Sequence, residues 1–249
     1  MARGAVSNTN HFALASAVVS APPLSVSAWV YVTTVAFNSY ALGITYTAGA
    51  DTNVSGFYLV KMITTGLLRA YTNNNNSQVY SVSAAGVNLN AWNHIGGVWA
   101  STSSRIAYLN GVEATAETTT KAVASTPDKM SIGCIYRQDN SVLGGSGDYV
   151  AEIGYWNVAL TTADMLMLSA GYSPPMVKPD GLQAYYPAIR GDSSGDMPDL
   201  FGAKTMVEVG TVSVQTHPRI FYPGLPWVVG KPGATAASGN PYYAFAQQQ

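Results

Sequence analysis

The chain has 249 residues, 47% of them hydrophobic, and a formal net charge of −1. That length suits one large domain or two small ones, and the near-neutral charge excludes binders that work by neutralising nucleic-acid phosphates or by polybasic attachment to membranes. Charged residues are only 10% of the chain, against ~25% in typical domains, so Ser, Thr, Asn and Gln must face solvent, and no apolar run approaches the ~20 residues that span a bilayer.

The first residues, M-A-R-G-A-V-S-N-T-N-H-F, hold no apolar signal core, so synthesis without export is expected. Pro22-Pro23 breaks the chain. Residues 24–33 then alternate strictly, with Leu24, Val26, Ala28, Val30 and Val32 on one face of a strand. Short strands are expected over 40–47, 56–63, 67–71 and 79–82, with a loop of four asparagines from Asn73 to Asn76. Residues 92–112 read as two strands and a tight turn. Asn110-Gly111 tolerates the positive φ angles of a type I′ hairpin. A Thr-rich link over 113–126 leads to a strand over 130–136. That strand holds Cys134, the only cysteine, read as a buried structural thiol. A Gly/Ser loop over 138–148 precedes a strand over 149–157. Thr161-Thr162-Ala163-Asp164 forms a capping box that opens a short helix, and Gly171 is placed to end it in a left-handed cap. A strand over 182–187 follows, and 205–209 with 211–215 are expected to form a final hairpin around Gly210. Turn signals about every ten residues indicate a sandwich or barrel.

Several of these stretches share one resemblance. S-V-S-A-W-V-Y-V, from Ser25 to Val32, is similar to the opening strand of many laminin G-like domains. W-N-H-I-G-G-V-W with I-A-Y-L-N-G is similar to their central hairpin, and M-S-I-G to an internal strand. A-E-I-G-Y-W-N-V-A-L-T-T-A-D-M resembles their closing signature at Ile153, Trp156, Asn157, Ala159, Leu160, Thr161 and Asp164. It departs from that signature at Gly154 and Tyr155, where an acidic residue is common. Over roughly residues 10–215 the chain thus resembles the laminin G-like, or concanavalin A-like, family that includes the pentraxins. The resemblance implies an all-β antiparallel jelly-roll sandwich with one short helix. G-L-Q-A-Y-Y-P, from Gly181, resembles the first strand of most such domains, yet here it follows the helix. A circular permutation within a single domain over 1–217, its last strands at 182–215, is the simpler reading; a truncated second copy is the alternative.

From His217 onward the chain changes character. Prolines at 218, 223, 226, 232 and 241 forbid helix and central strand, so 218–249 is expected to be an extended arm. Its aromatics Phe221, Tyr222, Trp227, Tyr242, Tyr243 and Phe245 are the candidate partner-binding residues. T-H-P-R-I-F-Y-P-G-L-P-W is similar to the ending of laminin G-like domains in tailed-phage proteins. That resemblance implies a non-enzymatic virion structural protein, a capsid decoration or head-fibre protein. Such a protein is made in the host cytoplasm, located in the virion, oligomeric, and attached to a capsid or other virion protein. A carbohydrate-binding adhesin module is the alternative.

Catalytic signals are sparse. Glycoside hydrolysis needs two facing carboxylates, and the E-x-D-x-x-E strand typical of hydrolases on this fold does not occur. Glu113 and Glu117 stand at the wrong spacing, and Glu152 stands alone. His11, His94 and His217 lack catalytic or metal-ligand spacing, and His94 reads as a satisfied, half-buried residue. No cofactor is expected. Calcium, which takes six to eight oxygen ligands, is the ion the family uses; its candidate ligands are Asp139, Asn140 and Asp148, or Asp192, Asp196 and Asp199. A sugar would need an exposed aromatic platform, for which Tyr71 beside Asn73 to Asn76 is the candidate.

Overall fold

A computed structural model describes residues 2–36, 38–47, 57–74, 77–123, 125–145, 147–189 and 195–222. The chain begins with β1 (Ala2–Val6), β2 (His11–Leu14), β3 (Leu24–Val32), β4 (Ser39–Thr45) and β5 (Phe57–Met62). It continues through β6 (Leu67–Asn74), β7 (Ser77–Gly86), β8 (Ala91–Ser101), β9 (Ser104–Leu109) and β10 (Val112–Glu113). Then come β11 (Lys129–Ile132), β12 (Cys134–Tyr136), β13 (Val142–Gly144) and β14 (Asp148–Trp156). Two helices follow, α1 (Thr162–Ser169) and α2 (Pro174–Val177), before β15 (Leu182–Tyr186), β16 (Val207–Val209) and β17 (Ser213–Gln215).

These strands build an antiparallel sandwich. The first sheet runs β10-β9-β8-β3-β14-β1-β17, with β15 also paired to β14. The second runs β16-β2-β11-β4-β5-β6-β7, and β12 with β13 makes a separate hairpin. Period-2 alternation sets the core. Leu24, Val26, Ala28, Val30 and Val32 of β3 meet Leu42, Ile44, Val60, Leu68 and Ala70 of the second sheet. Trp99 closes edge-on against Tyr58, their ring centroids 5.7 Å apart. The outer face of the first sheet is apolar as well: Val98, Tyr108, Trp156 and Leu182 receive Met165 and Leu168 of α1. That helix opens with the expected capping box of Thr161 and Asp164. It ends with Gly171 at φ 96°, where the Tyr172 N–H reaches Met167 O and the Gly171 N–H reaches Leu168 O, a Schellman arrangement.

One expectation about the strands needs correction, and one turn needs placing. β16 and β17 do not form a hairpin: β16 pairs with β2 in the second sheet, and β17 with β1 in the first. Gly210, at φ 76°, turns the chain from one sheet to the other beside Thr9, whose carbonyl would lie 2.2 Å from any added Cβ. Each short strand is satisfied by an N-terminal strand instead of by its sequence neighbour. The Asn110-Gly111 turn forms with both φ angles positive, but it closes β9 onto the short β10. The long β8–β9 hairpin turns earlier, between Ser101 and Ser104.

The edge of β14 that faces away from β3 is shared. β1 pairs along it from Asp148 to Val150, and β15 from Ile153 to Trp156. Leu182–Tyr186 therefore lies in the same sheet as Leu24–Val32. At the changeover the strand bulges, and Glu152 takes φ 55°.

Candidate functional site

Two polar clusters stand out, one on the outer face of each sheet. On the second sheet, β6 sends Leu68 and Ala70 into the core, so Arg69 and Tyr71 point outward. Tyr71 pairs across strands with Tyr80 of β7. The β12–β13 hairpin walls one side by lying over β4. Gly43 permits this approach, because a Cβ there would lie 2.9 Å from Ser131 Oγ and 3.0 Å from Ile135. Tyr71 and Ile135 are buried between Tyr40, Tyr80 and Leu143. The Arg69 guanidinium lies 4.0 Å from the Tyr80 ring centroid and 5.9 Å from that of Tyr71. Its Nη1 donates to the Tyr71 hydroxyl at 2.9 Å. Burial, and then the neighbouring Tyr71, push the Tyr40 hydroxyl pKa up, while Arg137 pulls it down. Arg137 follows β12 directly, in a turn closed by its N–H on Ser141 O.

This geometry corrects the expected sugar platform. Tyr71 is only 3% exposed, tilted against Tyr80 with centroids 5.0 Å apart. Asn73 is buried too, and Asn75 and Asn76 lie outside the described residues. The half-buried groups are Tyr40, Arg69 and Tyr80. Sequence reading missed Arg69 because a lone arginine in an alternating strand looks like a solvated face.

On the first sheet, the β14 bulge turns Glu152 outward. Val150, Ile153 and Tyr155 all reach the core, which strict alternation does not allow; the extra residue restores the phase and keeps a carboxylate out of apolar surroundings. Glu152 accepts hydrogen bonds from the Tyr185 and Tyr222 hydroxyls, each at 2.7 Å. His217 Nε2 lies 3.3 Å from the same carboxylate and 3.0 Å from Pro187 O. His217 Nδ1 faces Pro218 O at 2.9 Å. Both ring nitrogens thus face acceptors, which fits a doubly protonated imidazolium. Burial alone would lower the His217 pKa, but Glu152 outweighs it and the net direction is upward. The segment is strapped down further by Trp92 Nε1 donating to Thr216 O at 3.1 Å. The Phe221 N–H also donates to Gly171 O, at 2.7 Å. The sequence therefore left Glu152 and His217 apart where the fold brings them together. The usable signal was the break in alternation across V-A-E-I-G-Y.

Of the six arm residues, Phe221 stacks at 5.5 Å on Tyr172, Tyr222 reaches Glu152, and Trp227, Tyr242, Tyr243 and Phe245 lie outside the described residues. Each described calcium candidate accepts a hydrogen bond from the protein. Asp139 accepts from Ser141, Asn140 from Lys129, and Asp148 from Ser39. Asp196 accepts from the Glu208 N–H, and Asp199 from those of Tyr185, Phe201 and Lys204. Asp192 lies outside the described residues. Among the described residues no three His, Cys, Asp or Glu gather as a metal site. His94 is not the satisfied residue expected: it is fully buried beside Trp29, and neither ring nitrogen has a partner among the described residues. Burial lowers its pKa to about 3.

Comparison with known proteins agrees with this architecture. A family model described as the concanavalin A-like lectin/glucanases superfamily matches residues 6–165. A Bacteroides ovatus protein described as carbohydrate binding superposes with a TM-score of 0.60 at 16% identity, covering 88% of this chain and 61% of that one. The chain thus spans less than two thirds of that protein. The SAP-like pentraxin of Limulus polyphemus, a heptamer, superposes with a TM-score of 0.50 at 18% identity, covering 64% of this chain and 75% of that one. At these identities the likeness is one of fold. Comparison with curated proteins gives no match.

Proposed function

The chain belongs to the concanavalin A-like lectin/glucanases superfamily, and within it we propose a non-catalytic, saccharide-binding module. The observation that carries this reading is the outer face of the second sheet, where Arg69 and Tyr80 stack and half-buried Tyr40 flanks buried Tyr71. Amphipathic rings beside a fixed donor suit a sugar ring, whose CH faces are apolar and whose hydroxyls need partners. Carboxylate chemistry has weaker support. Glu152 is held by two phenols and an imidazole, whereas hydrolysis on this fold needs a facing pair. The test is calorimetric titration of the full chain with a panel of neutral and acidic oligosaccharides. Saturable binding that Tyr80→Ala weakens at least ~10-fold is expected. A flat titration across the whole panel sinks the reading.

A second role, in assembly of a virion, is favoured by a separate observation. Leu166, Met167, Tyr172, Met176 and Phe221 are exposed large apolar side chains around α1 and α2, and Tyr172 meets Phe221. Apolar patches of this kind mark interaction sites. The chain passes this patch at Tyr222 and continues into 223–249, which carries Trp227, Tyr242, Tyr243 and Phe245. In this reading the protein is an oligomeric capsid decoration or head-fibre protein attached through the patch and those aromatics. Co-sedimentation with purified particles, lost in a Leu166→Glu, Phe221→Glu double variant, is the expected result. A protein that never accompanies particles contradicts it.

A further inference from the structure

We propose that the saccharide selected by the Arg69 face is acidic, a sugar ring carrying a carboxylate that Arg69 grips with Arg137 alongside. The inference rests on the saccharide-binding reading and narrows it to a ligand class.

Charge is scarce in this chain, with 12 Lys and Arg in 249 residues, so the setting of each arginine is informative. The arginines that brace loops have acceptors. Arg3 pairs with Glu208 at 2.8 Å and with Gly195 O at 3.0 Å. Arg105 donates to Thr119 O and Thr102 O. Among the described residues the one acceptor for Arg69 is the Tyr71 hydroxyl. No carboxylate pairs with Arg69 or Arg137 among the described residues; a buried Nε without a partner there is common to both and to Arg105, so the difference lies in the acceptors at the guanidinium ends. Asp139, the carboxylate electrostatically coupled to Arg137, is fully exposed and accepts from Ser141 instead.

Holding a guanidinium against aromatic rings strips part of its hydration. An incoming carboxylate would meet a fork already held flat by Tyr80 and by the hydrogen bond to Tyr71. Such charge-assisted, two-pronged pairs are stronger than neutral hydrogen bonds. A neutral sugar has less to gain. One face of the Tyr80 ring is covered by the guanidinium at 4.0 Å, and Tyr71 is buried. The surface offered is therefore a cation framed by phenol edges rather than a bare aromatic platform. Arg137 sits at the turn of the β12–β13 wall and couples to Tyr40, which adds a second positive charge on the same side.

The test uses the full chain and two matched pairs of probes. α2,3-Sialyllactose is compared with lactose, and oligogalacturonate with its methyl ester, by titration calorimetry in low salt. At least one acidic probe is expected to bind ~10- to 100-fold more tightly than its neutral partner. Arg69→Gln should erase that preference, and Arg69→Lys should restore part of it, since charge returns without the fork. Circular dichroism of each variant checks that the sandwich is retained. Equal affinity for acidic and neutral probes overturns the inference while leaving the saccharide reading intact. An acid preference that survives in folded Arg69→Gln also overturns it. If no probe of either kind binds, both fail.

Discussion

Two histidines set opposing pH dependences at the level of single residues. His94 is buried and neutral, its pKa lowered to about 3 by burial. An unfolded chain protonates it near 6.5, so the unfolded state takes up the proton first as pH falls. Its share of stability is intact above pH 6.5 and is lost progressively toward pH 3, by up to ~1.4 kcal/mol per unit. His217 has the opposite sign. Its pKa is raised by Glu152, so its contribution is complete below 6.5 and fades as pH climbs through the folded value. His94→Leu removes two nitrogens that have no partner among the described residues, and it removes the acid-side penalty. Its melting temperature should match or exceed wild type at pH 7, with a gap that widens down to pH 5. Parallel melting curves for the two proteins across that range would show that His94 does not titrate as described.

Among the elements, legibility followed the range of the interaction that fixes each one. The β3 alternation, the Asn110-Gly111 turn and the α1 capping box are encoded within about ten residues, and they formed as read. The turn's destination was not legible. Asn110-Gly111 specifies positive φ, but not which strands it joins: β9 lies between β8 and β10, and two hairpins form, one turning at 101–104 and one at 110–111. Gly210 was misread for a related reason. Turn chemistry cannot distinguish a hairpin from a corner between sheets; the distinction lies in β1 and β2, some two hundred residues away in sequence. The Arg69 face was invisible because Tyr71 and Tyr80 become a pair only through the β6–β7 register. Glu152 was the nearest miss, since the break in apolar phase around it is written in the sequence.

At the scale of the molecule, the C-terminal strands complete sheets begun by the N-terminal ones: β15 completes β14, β16 flanks β2, and β17 flanks β1. The core takes Ala184, Tyr186, Met197, Met206 and Val212 from the same region. A chain ending at Gly171 lacks all of these. It leaves half of one β14 edge, with β1 and β2, open to pairing with other chains. It also strands Glu152, whose partners Tyr185, His217 and Tyr222 all lie beyond the cut. The 1–171 fragment should therefore be unfolded or aggregated in size-exclusion chromatography and show no cooperative melt. A chain ending at Tyr222 keeps every described strand and the Glu152 cluster, and should melt cooperatively as a folded sandwich. A soluble, monomeric 1–171 fragment with a sharp transition would mean that the early strands close a core of their own.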